Sequence, residues 1–230
     1  MTATDRLRKA GLRGRRAERT SGDDREAAIL ATAGELLAER PWATVSVDDL
    51  ARGAGISRPS FYFYFASKDA VLLTLLERVI GEADGTSAAA FTAETTAPDP
   101  RRRWREGISA YFETFRAHRA VTLAAAEAVA TSPEVRALWA RGFSTWVQTC
   151  AATIEAERRR GTAPPGVPAR DLAVVLNAMN ERVMYGTFSR DATSVAEEDV
   201  VDVLLEVWLS AIYGPVAADE PVGRQLDAAG

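Results

Sequence analysis

The sequence predicts an all-α protein of about nine helices, with a small N-terminal head ahead of a larger helical body. Three observations carry that expectation. Apolar residues recur at helical spacing from one end of the chain to the other. No segment sustains a two-residue alternation. Serines, acids, prolines and glycines stand where helices would start and stop.

Composition limits the rest. The chain is 47% hydrophobic and 26% charged, ordinary values for a folded domain and not for a disordered one. The longest apolar run, Val200 to Tyr213, is interrupted by Asp202 and Glu206, so no membrane span and no membrane partner is expected. The N-terminal stretch is charged and does not read as a secretory signal. Cys150, the sole cysteine, fits a reducing compartment. Together these point to the cytoplasm.

The net charge of −4 argues against a nucleic-acid partner when taken alone, but its distribution does not. Arg6, Arg8, Lys9, Arg13, Arg15, Arg16 and Arg19 crowd residues 1–20, opposed only by Asp5 and Glu18. Residues 1–20 are therefore expected to be a disordered basic arm, suited to a polyanion or simply a solvated tail.

The elements follow in order. Ser21 and Asp24 resemble a capping box, and Ile29, Ala33, Leu36 and Leu37 give one apolar face up to Pro41. Ser46 with Asp49 starts a short helix that Gly53 and Gly55 break. Ser57-Arg58-Pro59 starts another, and Ser67 a fourth that carries Val71, Leu72, Leu75, Leu76 and Val79. Beyond the linker Ala97-Pro98-Asp99-Pro100 a helix carries Trp104, Ile108, Tyr111, Phe112 and Phe115. Ser132-Pro133-Glu134 opens a long one, with Arg158, Arg159 and Arg160 at its negative end. A helix from about Ala169 to Phe188 comes next, and Ser194 with Glu197 is expected to cap the last. This divides the chain into an arm over 1–20, a head over 21–66, a body over 67–215 and a disordered tail over 216–230.

The most specific signal is VSVDDLARGAGISRPSFYFYF, Val45 to Phe65: two short helices around a glycine-containing turn, the pattern of a helix-turn-helix. Val47, Leu50, Ala51, Ile56 and Phe61 would pack it against the first helix. Ser57, Arg58, Ser60, Tyr62 and Tyr64 are left facing outward, as a major-groove reader needs. Ser46, capping the first helix of the pair, and Lys68, at the N-terminus of the next, complete the DNA-facing set with Arg13, Arg15 and Arg16. Five consecutive aromatics, Phe61 to Phe65, cannot all face inward on one short helix.

The segment Ser46 to Leu73 resembles the DNA-binding head of the TetR family of repressors. The family's closing tyrosine–x–aromatic–Phe–x–Ser–Lys stretch reads here Tyr62-Phe63-Tyr64-Phe65-Ala66-Ser67-Lys68. With one branch of that family the resemblance runs from Arg13-Gly14-Arg15-Arg16 to Ala211-Ile212-Tyr213-Gly214. It implies a homodimeric repressor that binds double-stranded operator DNA and is released by a small, mostly apolar ligand. It also implies a ligand channel lined by Trp104, Ile108, Phe115, Trp146, Asn177, Asn180, Glu181 and Trp208. Tyr111, Phe143, Thr149, Cys150, Met184 and Tyr185 stand at channel positions where that branch carries other residues, so ligand identity does not carry over.

The body supports this independently. Trp104, Ile108, Tyr111 and Phe115 share one helix face, with Gly107 beside them. Phe143, Trp146 and Cys150 share another, and Asn177, Asn180, Glu181 and Met184 a third. Aromatic walls with a few amides and one carboxylate suit a small-molecule pocket, although such stripes also build plain cores. Val200, Val203, Leu204, Val207, Trp208 and Ala211 form one apolar face of the last helix, and Val201, Leu205, Leu209 and Ile212 a second. A helix apolar on two sides needs two partners, so the last two helices are expected to form the homodimer interface.

No chemistry of catalysis is legible. His118 is the only histidine, there is no Cys/His cluster or glycine-rich phosphate loop, and neither metal nor cofactor is expected. A helical carrier or enzyme for an apolar substrate, or an adaptor with an aromatic head, leaves the coincidence of basic arm, turn glycines and exposed Ser/Arg/Tyr helix unexplained.

Overall fold

A computed structural model of the chain describes residues 22–92 and 99–214, with side chains described at all of these but 88–92. The described residues form helices without a strand. Helix α1 spans 22–39 and a 3₁₀ turn follows at Trp42–Thr44. Then come α2 (Val47–Gly53), α3 (Arg58–Phe61), α4 (Lys68–Thr92), α5 (Pro100–Ala117), α6 (Arg119–Ala128), α7 (Pro133–Arg159), α8 (Ala169–Ser189) and α9 (Val200–Tyr213).

The caps explain most boundaries. Ser46 and Asp49 close a reciprocal capping box on α2, and the Ser57 hydroxyl accepts the Ser60 N–H at the start of α3. Ser67 Oγ accepts the Ala70 N–H at 3.1 Å, and Ser132 Oγ the Val135 N–H at 3.3 Å. Each satisfies an otherwise orphaned helix donor, worth about 1 kcal/mol. The chain leaves α7 through Gly161 at φ 75° and α8 through Arg190 at φ 58°.

Two boundaries differ from expectation. The region after Phe115 holds a separate helix, α6, divided from α5 by His118 alone (φ −109°, ψ 31°). Neither proline nor glycine marks that break. The Thr122 hydroxyl makes it tolerable by donating to the carbonyls of Phe115 and His118 at 3.2 and 3.0 Å. At the other end, Ser194 and Glu197 do not start α9. The Ser194 N–H donates to the Asp191 carbonyl, and Thr187 Oγ1 donates to the Val195 carbonyl at 3.1 Å, which ties this segment back to α8. Helix therefore begins only at Val200.

The chain divides into two compact units, each assembled from two stretches: one takes residues up to Ala83 and Thr114–Gly142, the other Asp84–Glu113 and residues from Phe143 onward. In the first, Ile29, Leu50, Phe61, Leu72, Leu76, Phe115 and Ala125 belong to the buried core. In the second, Trp104, Ile154, Leu204, Leu205, Trp208 and Ile212 do so. Burying each large side chain contributes about 1.5–3 kcal/mol.

The second unit also holds a buried charge. Glu157 is fully buried, and it accepts from Arg103 Nη1 at 2.5 Å, from Arg160 and from Thr162 Oγ1 at 2.5 Å. Burial would raise its carboxyl, but the Thr162 hydroxyl, Arg160 and Arg103 outweigh that and hold it below the ordinary glutamate range. The cluster ties α5 to the C-terminal end of α7.

Candidate functional site

The first unit builds a head that contains two short helices, α2 and α3. Gly53 ends α2 hard against α1: a Cβ there would overlap Thr32 Cγ2. Gly55 supplies the positive backbone angle of the turn, φ 66°. The two turn glycines thus have different duties, one for close approach and one for conformation. The Ser46 hydroxyl and backbone N–H, with help from Arg40, lower the Asp49 carboxyl to about 2, so the box at the start of α2 stays ionised at neutral pH.

The five aromatics sort by direction. Phe61 and Phe65 are buried, with ring centroids 6.0 Å apart. Tyr62 is 48% and Phe63 88% exposed, while Tyr64 is half-buried. Phe63 was not among the expected outward residues, although a position two residues from an inward-facing Phe61 falls on the far side of a helical turn. Ser57 and Arg58 are exposed and Ser60 half-buried. Arg58 Nη1 pairs with Asp48 Oδ2 at 2.8 Å across the turn, an exposed pair open to exchange with another anion. Ser46, Ser57, Arg58, Tyr62 and Phe63 are therefore exposed on the α2–α3 pair.

Lys68 is placed differently from expectation. Its ammonium donates to the carbonyls of Val45 and Trp42 at 2.9 and 3.0 Å and sits over the Trp42 ring. It closes the 3₁₀ turn onto the start of α4 and spends its donors inside the protein. Arg13, Arg15, Arg16 and Ser21 lie outside the described residues.

The second unit holds a cavity of about 160 Å³. Asp84 and Ser87 of α4 line it, with Gly107, Ile108 and Tyr111 of α5 and Thr145, Trp146, Thr149 and Cys150 of α7. Asn177 and Asn180 of α8 and Trp208 of α9 complete the wall. Tyr111 and Trp146 meet edge-on with centroids 4.9 Å apart. Trp208 Nε1 donates to Asn180 Oδ1 at 2.9 Å, and Asn177 Nδ2 to its own helix at the Ala173 carbonyl, 2.8 Å. Burial pushes the Cys150 thiol up to about 12 against the opposing Asn177 amide, so it is a neutral wall group and no nucleophile. Burial likewise drives the Tyr111 hydroxyl far above its usual range, with the charge of Glu181 adding to it. At Asp84, burial raises the carboxyl and the Trp146 indole opposes part of the rise.

Of the expected channel residues, Gly107, Ile108, Tyr111, Trp146, Thr149, Cys150, Asn177, Asn180 and Trp208 meet at this cavity. Trp104 does not line it. It lies fully buried, its ring centroid 5.0 Å from that of Trp208 and its indole donating to Tyr213 Oη. Phe115 falls in the first unit, against Trp139. Phe143, Glu181, Met184 and Tyr185 also stay off the wall. Met184 is buried in the core, and the Tyr185 ring lies under the Arg182 guanidinium. Asp84, Ser87 and Thr145 were missed. Asp84 and Ser87 sit on α4 beyond its apolar pattern, which ends near Val79, and no aromatic stripe announces them.

Comparison with known proteins decides the family. Residues 29–75 match the model of the bacterial regulatory proteins of the tetR family, and residues 104–214 that of the C-terminal domain of the transcriptional regulator EthR. The chain is 55% identical over 203 residues to the HTH-type transcriptional regulator EthR of Mycobacterium tuberculosis, covering 88% of this chain and 93% of that one. This chain belongs to the TetR family. To EthR of Mycolicibacterium smegmatis this TetR-family chain is 50% identical over 211 residues, covering 92% of itself and 94% of that relative. The solved TetR-family regulator PfmR from Thermus thermophilus shares the fold, with a TM-score of 0.62 at 21% identity, over 77% of this chain and 96% of that one. The chain is thus a TetR-family transcriptional regulator of the EthR type, and its relatives are regulators and not enzymes. No helix among the described residues is long and apolar enough to cross a membrane.

Proposed function

We propose that this regulator is a cytoplasmic repressor that binds operator DNA as a homodimer and lets go when a small, largely apolar molecule occupies the α4–α5–α7–α8–α9 cavity. The observation that carries the reading is that α4 is one unbroken helix that carries both Lys68, bonded to the 3₁₀ turn beside α2, and Asp84 and Ser87 of the cavity wall.

On the DNA side, Arg58 suits a guanine edge, Ser57 and Ser60 suit either bases or phosphates, and Tyr62 and Tyr64 suit phosphate oxygens. Arg13, Arg15 and Arg16 would add phosphate or minor-groove contacts. Two recognition helices of a dimer must lie about 34–36 Å apart, or a multiple of that, to enter successive major grooves.

For the dimer, α8 and α9 offer the surface. Val200, Leu204, Leu205, Trp208, Leu209 and Ile212 are buried within the chain, which leaves Val203 and Val207 exposed on α9 and Val175 on α8. Exposed valines on neighbouring helices fit a self-complementary helical interface. A ligand that pushes on α4 would change the separation of the two heads, acting only through its unequal affinity for the two spacings.

The experiment is binding of the full chain to duplexes selected from a random pool, followed across a salt series. Sequence-selective binding with one palindromic site per dimer supports the reading. Binding without selectivity, or none at all, removes it.

A further inference from the structure

Asp84 and Ser87 lie one helical turn apart on the same face of α4 and both line the cavity. Asp84 Oδ1 and Ser87 Oγ are shielded from solvent and carry no hydrogen bond, although the Trp146 indole stands close enough to the Asp84 carboxyl to oppose part of its rise. The two asparagines of the wall behave differently. The Asn180 amide oxygen takes the Trp208 indole and the Asn177 amide nitrogen bonds within its own helix. Buried polar atoms are almost always satisfied, and an unsatisfied buried group costs about 1–3 kcal/mol, so a carboxylate oxygen and a hydroxyl one turn apart on one wall, neither of them bonded, mark the place where a ligand supplies the donors. Both residues lie between the two stretches that match family models, 29–75 and 104–214, so nothing in those matches accounts for them.

We propose that the molecule recognised by this cavity is a cation with an apolar body, a primary amine or amidine whose N–H groups bond Asp84 Oδ1 and Ser87 Oγ while its hydrocarbon part lies against Tyr111, Trp146 and Ile108. This rests on the reading of the cavity as the regulator's ligand site and deepens it. The carboxylate supplies a charge-assisted hydrogen bond at an oxygen shielded from solvent, and the Tyr111 and Trp146 rings take the apolar body. A neutral body of equal shape gains the apolar contacts and, if an alcohol, one O–H donor, but brings no positive charge to Asp84. Size is consistent, since an apolar cavity of about 150 Å³ holds a benzene ring.

The test is calorimetric titration of the full chain with benzylamine and with benzyl alcohol, which share a shape and differ in charge. Wild type is expected to bind the amine about tenfold or more tightly than the alcohol, the advantage of a hydrogen bond to a charged group. Asp84→Asn is expected to abolish that preference, with a cooperative denaturation profile showing that the variant is folded. Ser87→Ala loses part of the preference. Equal affinities in wild type, or a preference that survives Asp84→Asn, overturn the inference while the ligand site stands. If neither probe binds, or binding persists undiminished when Gly107→Trp fills the cavity, the ligand-site reading falls and the inference falls with it.

Discussion

The indole of Trp208 on α9 donates to the side-chain oxygen of Asn180 on α8, 2.9 Å away, at the wall of the cavity. Both side chains are almost wholly buried. One bond therefore joins two elements of the wall, and it fixes which way the Asn180 amide faces.

Asn180→Leu should destabilise the chain by about 1–3 kcal/mol, because it strands the Trp208 N–H in an apolar setting. Trp208→Phe made on top of Asn180→Leu should cost less than the sum of the two single changes, since the donor is then gone as well. Urea midpoints of the two single variants and the double variant check this. Additive losses would mean that the bond contributes nothing.

Gly53→Ala should destabilise the head by about 1–3 kcal/mol, the usual range for forcing a methyl into packed space. The new Cβ would collide with Thr32 Cγ2. Thr32→Ser removes that methyl and should recover part of the loss in the double variant. Thermal denaturation distinguishes this from a glycine needed for conformation, which no change at Thr32 would rescue.

Glu157 should set part of the acid limb of stability. Its folded pKa lies below the unfolded value, so its contribution is present in full above the ordinary glutamate range and is lost as pH falls through the folded value. Glu157→Gln should destabilise by about 3 kcal/mol at pH 7, because it leaves Arg103 with a neutral partner in a buried site. It should also flatten the decline of stability below about pH 4.5. Denaturant midpoints between neutral and acid pH check the sign, and an unchanged acid slope would exclude the role.

Asp48→Asn should release Arg58 and remove a negative charge from the same face. Binding to all duplex sequences should then tighten and the ratio of specific to non-specific affinity should fall. Arg58→Ala should instead weaken selected duplexes by about 1–3 kcal/mol and relax preference at one position. Competition binding at fixed salt reads both effects.

The helical class and most boundaries were legible because they rest on local signals: Ser46, Ser57, Ser67 and Ser132 announce their helices, and each makes the bond it announces. Where the deciding contact is distant, the reading failed. Thr122 permits a break at His118 that no glycine or proline advertises. Thr187, on another helix, holds Val195 and delays α9 past its apparent cap at Ser194. The cavity wall was legible on α5, α7 and α8, where aromatics and amides stand out against an alanine-rich background. Asp84 and Ser87 look like ordinary surface residues in one dimension, and only the fold brings their oxygens out of water. Lys68 shows the converse: a lysine at a helix start suits a phosphate, yet three-dimensional packing gives its ammonium the backbone carbonyls of Trp42, Ala43 and Val45 instead.

The central claim is that filling the cavity weakens the hold on DNA. It is tested most directly by the operator affinity of Gly107→Trp, whose indole would occupy the space beside Tyr111 and Trp146. The account predicts a folded variant, by its denaturation profile, that binds the selected operator about 5–150-fold more weakly than wild type and no longer responds to added ligand. A folded Gly107→Trp variant that binds the operator as tightly as wild type would contradict it.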